Sequence, residues 1–270
     1  MIVIAERINA TRRSIARALD ERNGGFIAEE ARKQTRAGAD FIDVNAGSNP
    51  AAEVENLSWA VQVVQDNTDR PLCLDCASPE GFEEALKVVK REPVMLNSVN
   101  GEEEKLQSIL PIAAGSGAEL VGLLMDERGL PQTVDDRLQI AEKIINRAAQ
   151  DGIPVDKLYL DPCIQPLSTT PQDVGYVLEA VERIVASFPG VHITAGLSNI
   201  GFGLPYRSIL NRIFLAYLIR AGMDSAILDP TRPDMMATVF AAEALAGRDE
   251  FCMNYIQAER KGLLRPDAGE

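Results

Sequence analysis

Eight times along this chain a short apolar run stops at a polar residue and gives way to a stretch with helical periodicity. The runs are Ile2 to Ala5, closed by Glu6; Phe41 to Asn45; Leu72 to Asp75; Val94 to Asn97; Leu120 to Met125, closed by Asp126; Leu158 to Asp161; Ile193 to Leu197, closed by Ser198 and Asn199; and Ala226 to Asp229. Strands that alternate with helices must run parallel, because each crossover is long enough to carry the chain back to the same sheet edge. A length of 270 residues accommodates eight such units, and a closed (β/α)8 TIM barrel of about 250 residues matches both count and length. An open doubly wound sheet is the alternative. No linker or composition shift divides the chain, so residues 1–270 are expected to form one domain, with a short helix in the tail after about 248 and fraying beyond Leu264.

In such a barrel the polar residues that end the strands converge on the carboxyl-terminal face, where ligands bind. Here they are Glu6, Asn45, Asp75, Asn97, Asp126, Asp161, Asn199 and Asp229. Some are expected to serve only as caps of the helices that follow. The remainder form an acceptor-rich site without a histidine, because the single histidine, His192, enters the seventh run from its opposite end. A histidine-based nucleophile and a histidine-ligated metal centre are therefore not expected, and no metal is assigned to this chain. Carboxylates take paired hydrogen bonds and carboxamides offer both signs, so the set suits a polar heterocycle with adjacent N–H donors, as on the pyrimidine edge of a pterin or guanine.

Composition narrows the partner. A net charge of −13 disfavours nucleic acid and anionic membranes. The chain contains no apolar run of membrane-spanning length and enters its first strand without a signal peptide, which points to a cytoplasmic protein. Four cysteines are too few for a disulfide scaffold. Cys73 and Cys76 have C-x-x-C spacing, but residues three apart on a strand point to opposite faces, so no shared metal or disulfide is expected. Gly115-Ser-Gly117 precedes a strand instead of following one and reads as a helix stop, not a phosphate loop.

Glu6-Arg-Ile-Asn9, Asp43-Val-Asn45, Cys73-Leu-Asp75, Leu96-Asn-Ser98, Leu160-Asp-Pro162, Gly196-Leu-Ser-Asn199 and Asn211-Arg212 together resemble the motifs of the pterin-binding methyltransferases. The similarity runs through nearly the whole chain with the motifs in order. It points to the methyltetrahydrofolate:corrinoid protein methyltransferases and, beyond them, to the folate domain of cobalamin-dependent methionine synthase. The resemblance implies a barrel that pairs as a homodimer and moves a methyl group between 5-methyltetrahydrofolate and the cobalt of a corrinoid. Carried over by motif, Asp75, Asn97 and Asp161 hold the pyrimidine edge of the pterin, and Asn199 hydrogen-bonds the nitrogen that bears the methyl group. Arg207 matches a basic position in the loop after that asparagine. Glu6, Asn9, Asp43, Asn45, Met125 and Phe202 are secondary candidates. Phe202 stands where some corrinoid-protein methyltransferases carry a polar residue, which argues against a proton relay through that side chain.

The corrinoid is expected on a separate protein, since His192 lacks the Asp-x-His-x-x-Gly surroundings of a cobalt-ligating histidine. Its docking surface falls on the loops Gly201 to Arg207 and Asp126 to Pro131, with Phe202, Leu204 and Tyr206 as apolar anchors. Two rival readings remain. A dihydropteroate synthase-like enzyme would need groups that hold a pyrophosphate, which no motif here supplies, and that family's Ser-Arg-Lys stretch is missing. A non-catalytic folate-binding protein would bind folate and exchange no methyl group.

Overall fold

The computed structural model describes residues 1–47 and 52–264. Eight parallel strands, β1 (Ile2–Asn9), β2 (Phe41–Asn45), β3 (Leu72–Asp75), β4 (Val94–Asn100), β5 (Glu119–Leu123), β6 (Leu158–Asp161), β7 (His192–Ile193) and β8 (Ser225–Leu228), pair in the order β7-β6-β5-β4-β3-β2-β1-β8. The barrel closes through the Ile227 N–H, which donates to Ala195 O at 3.0 Å, and a bridge between Gly196 and Ile227. The chain is thus a (β/α)8 TIM barrel.

The outer helices are α1 (Arg13–Asp20), α2 (Gly24–Arg36), α3 (Glu53–Gln65), α4 (Pro79–Val88), α5 (Glu103–Ser116), α6 (Val134–Gln150), α7 (Asp173–Ser187), α8 (Arg207–Ala221), α9 (Pro233–Leu245) and α10 (Met253–Arg260). Their starts follow local chemistry. The Asn23 side chain accepts from Phe26 N, Ser78 Oγ accepts from Gly81 N one residue before Pro79, and Thr133 with Asp136 forms a reciprocal capping box on α6. Gly117 ends α5 at φ +66, a left-handed backbone that glycine adopts at least cost, so Gly115-Ser-Gly117 is a helix stop. The tail beyond Leu264, expected to fray, lies outside the described residues.

Strand alternation sorts side chains between two cores. Leu72, Leu74, Leu96 and Leu120 join the large layer packed under the helices, whereas Ile4, Phe41, Cys73, Met95, Val121 and Tyr159 fill the barrel interior. Cys73 lies inside the barrel and Cys76 outside it, and both are free thiols. The interior is a packed plug, so a ligand must sit above it at the strand ends.

Several strand bounds differ from the sequence pattern. β1 and β4 run on to Asn9 and Asn100 through register shifts after Ala5 and Asn97. β5 stops at Leu123, because beyond it Leu124 N donates to Asp161 O and Met125 N turns back to Leu123 O. β7 holds only two residues, and the rest of its apolar run leaves the ladder: Gly196 N donates to the Asp161 carboxylate at 3.2 Å, and Leu197–Asn199 coils into a 3₁₀ turn.

Candidate functional site

The ladder register builds the site. Asn45, Asp75 and Asn97 are successive partners across β2, β3 and β4, while Asp43, Cys73 and Met95 are partners one layer below. Cys73 and Met95 point into the barrel, and residues two apart share a face, so Asn45, Asp75 and Asn97 form an inward polar row above the apolar plug. Asp43 is buried under this row, and its Oδ1 accepts from Asn97 Nδ2 at 3.3 Å. Leu123, not an acid, ends β5 opposite Asp161.

Burial sets the electrostatics. Desolvation pushes the Asp75 carboxyl up to about 6, aided by the Glu53 charge and opposed by a hydrogen bond from Asn45. Asp43 lies well above the ordinary carboxylate range, first through burial and then through repulsion from Asp75. Asp161 is raised to about 6 by burial, against the backbone N–H groups of Cys163 and Gly196 and the charge of Arg137. Those N–H groups donate to Asp161 at 2.8 Å and 3.2 Å, so one carboxylate shapes the loop after β6 and pins the end of β7. Glu6 is also raised by burial, and its Oε1 accepts from Ser198 Oγ at 3.3 Å.

Asn199 ends the 3₁₀ turn with an exposed side chain that has no hydrogen bond among the described residues. Arg207 opens α8, exposed and without an ion-pair partner among them. Phe202 and Tyr206 are 63% and 86% exposed on the same loop, with Leu204 half-buried between them. Met125 is half-buried at the mouth, where its carbonyl accepts from Gly101 N.

Other strand-end residues are engaged elsewhere. Asp126 is not a strand end: it closes a turn with Gly129, and its carboxylate takes three hydrogen bonds from the Arg128 guanidinium, which hold its pKa low. Asn9 caps its own turn, accepting from Thr11 N and Oγ1, and Asn45 Oδ1 likewise accepts from Gly47 N. Asp229 accepts from Arg7 at 3.0 Å, and Arg7 also binds Glu30 at 2.7 Å, which ties β1 to α2 and to the loop after β8.

Two features escape a reading of the sequence. Arg137, fully buried on α6, donates to Pro162 O at 2.8 Å and to Asp173 at 2.5 Å, while the other Asp173 oxygen accepts from Gln165 N, so the pair clamps the loop that follows Asp161. Beside Ser198 a cavity of about 350 Å³ gathers Arg12, Arg207, Arg212 and Arg232 at the mouth, although no phosphate-loop motif occurs. Neither could be found by spacing, because the residues lie far apart in the chain. His192, as expected, sits at the opposite end: it begins β7, stacks on Tyr159 at 4.6 Å and hydrogen-bonds Asp224 at 2.6 Å. Among the described residues no cluster of three His, Cys, Asp or Glu could hold a metal ion, and no helix is long and apolar enough to cross a membrane.

The profile of the family described as pterin binding enzyme matches residues 5–229. The methylcorrinoid:tetrahydrofolate methyltransferase of Eubacterium limosum is 37% identical over 268 residues, 98% of each chain. The methionine synthase of Mycobacterium leprae is 29% identical over 86% of this chain, which corresponds to only 20% of that protein. Among solved structures, dihydropteroate synthase from Yersinia pestis, crystallised with a pterine-sulfa conjugate, superposes with a TM-score of 0.69 at 18% identity, covering 91% of this chain and 94% of that one. The 7,8-dihydropteroate synthase of Vibrio fischeri gives 0.68 at 19%, covering 92% and 93%. At such identities these two report the shared fold alone.

Proposed function

The chain belongs to the pterin-binding enzyme family, and from that premise we propose that it is a methyltransferase acting between tetrahydrofolate and a corrinoid carried by a separate protein. The observation that carries this reading is the inward row of Asn45, Asp75 and Asn97, with Asp161 beyond it, in a chain alignable end to end with a methylcorrinoid:tetrahydrofolate methyltransferase. Adjacent N–H donors on a pterin edge meet carboxylates at Asp75 and Asp161, and the Asn97 carboxamide supplies the opposite sign. Asp43 supports Asn97 from below, and Asn45 orients Asp75.

With the pterin so placed, the exposed carboxamide of Asn199 addresses the methyl-bearing nitrogen. Departure of a methyl group from a tertiary amine needs positive character on that nitrogen, and an amide can exchange an acceptor for a donor contact as protonation changes. That contact stabilises the transition state more than the ground state. The corrinoid supplies the cobalt centre that exchanges the methyl group. Residues of this chain therefore bind, orient and polarise, and none attacks. Phe202 and Tyr206 give the incoming corrinoid protein apolar anchors at the mouth.

Residues 1–270 act in this reading as one pterin-binding unit, cytoplasmic and homodimeric. The stripe of Ile209, Ile213 and Tyr217, each about half exposed and four residues apart on α8, supports pairing. The direct test is chemical: tetrahydrofolate and methylcobalamin incubated with the protein are expected to yield 5-methyltetrahydrofolate by mass spectrometry. Dihydropteroate made from a pterin pyrophosphate and p-aminobenzoate, with no methyl exchange, would refute the assignment.

A further inference from the structure

The arginine-lined cavity has no task in the chemistry above. It lies between the ends of β1, β7 and β8, and the Glu6–Ser198 hydrogen bond marks its border with the pterin row. Arg12 is 3.7 Å from Asp229, Arg212 and Arg232 share Asp234 at 3.6 Å and 3.3 Å, and Arg207 has no ion-pair partner among the described residues. Four guanidinium groups thus face three carboxylates, Glu6, Asp229 and Asp234, and Asp229 is also held by Arg7. In a chain of net charge −13 this is a local surplus of positive charge. A second observation also points to a ligand. Asn211, only 7% exposed, lines the same cavity, and its buried carboxamide oxygen has no hydrogen-bond partner. Gly201 packs so closely that a Cβ there would lie 2.6 Å from that oxygen, so the loop backbone covers one side of this unpartnered polar group.

We propose that this cavity binds the carboxylates of the folate's glutamate tail and selects tetrahydrofolates carrying several γ-linked glutamyl residues. The inference rests on the pterin assignment above. It follows from where a tail must go: a pterin held by Asp75, Asn97 and Asp161 with its methyl-bearing nitrogen at Asn199 extends its substituent past Ser198 and Arg207. The charge balance discriminates between anions. A small local surplus in which three of the four guanidinium groups, those of Arg12, Arg212 and Arg232, are already partly paired suits singly charged carboxylates strung along a chain, each taking one charge-assisted bond. A compact pyrophosphate concentrates several charges and calls for unpaired donors converging on one point. The exposed Tyr206 ring at the rim adds an aromatic surface for the p-aminobenzoyl group.

Isothermal titration of the intact protein with tetrahydrofolate monoglutamate and triglutamate tests this. The triglutamate is expected to bind about tenfold tighter, the equivalent of one added charge-assisted contact, and the preference should shrink as salt is raised. In the double variant Arg12→Met/Arg232→Met the ratio should fall toward one, with circular dichroism reporting the fold. A ratio of one in the natural protein, or a salt-independent ratio, overturns the proposal without any variant, as does an unchanged ratio in a folded double variant. Inorganic pyrophosphate that competes with both folates equally would assign the cavity to a different anion and also overturn it. Absence of binding by either folate would refute the pterin assignment itself, whereas monoglutamate binding without discrimination refutes only the tail site.

Discussion

At the scale of single residues, Asn199 and Asp75 have separable roles. Asn199 offers an amide committed to no other group among the described residues, so its removal disturbs little of the fold. Asn199→Ala is expected to slow single-turnover methyl transfer about 10²-fold at saturating folate, with a smaller loss of folate affinity. An unchanged rate would remove Asn199 from the reaction. Asp75 and Asp161 titrate near 6, raised chiefly by burial. Because pterin donors pair with the ionised carboxylates, affinity is present above that pH and lost as pH falls through it. Titration calorimetry should therefore find tetrahydrofolate binding steady above neutrality and weakening below about pH 6, with Asp75→Asn flattening the profile. Asp75→Ala should cost about 1–3 kcal/mol of binding. Asp161→Ala should in addition lower the melting temperature, because it strands the N–H groups of Cys163 and Gly196.

At the scale of elements, the buried Arg137–Asp173 pair holds the loop after β6 from two helices, α6 and α7. Removing one partner leaves an uncompensated buried charge, so Arg137→Met is expected to destabilise the protein by about 3–5 kcal/mol. Denaturant unfolding measures this, and a variant as stable as the natural protein would show that the clamp is dispensable. The elements also show what could be read from residues alone. Apolar runs ending in Asp75 and Asp161 announce strand ends, and the one ending in Asn97 announces the register shift within β4, because alternation and burial act locally. Where a ladder stops depends on its neighbours. The run ending at Met125 looks continuous, yet β5 leaves the sheet after Leu123 because its next N–H meets the end of the short β6. Asp126 is consequently a turn residue bound to Arg128, a distinction that no spacing reveals.

At the scale of the whole molecule, closure of β8 onto β1 brings Arg12 and Arg232 to one cavity and Arg7 onto Asp229. Residues more than 200 positions apart carry no joint signal in a single sequence, so this side of the mouth appears only when the barrel closes. The polar row over β2 to β4 was legible because its members close three consecutive apolar runs. Asn199 and the exposed Phe202 and Tyr206 lie on the segment between β7 and α8, and in the proposed reading a folate held by the row meets a carried corrinoid there. Stopped-flow spectroscopy of the cobalt state, with tetrahydrofolate and a methylated corrinoid protein mixed with this enzyme, tests that meeting directly. The account predicts demethylation of the cobalt that depends on both enzyme and tetrahydrofolate and is faster with the protein-borne corrinoid than with free methylcobalamin at equal concentration. A cobalt spectrum that stays methylated in the presence of both would contradict it.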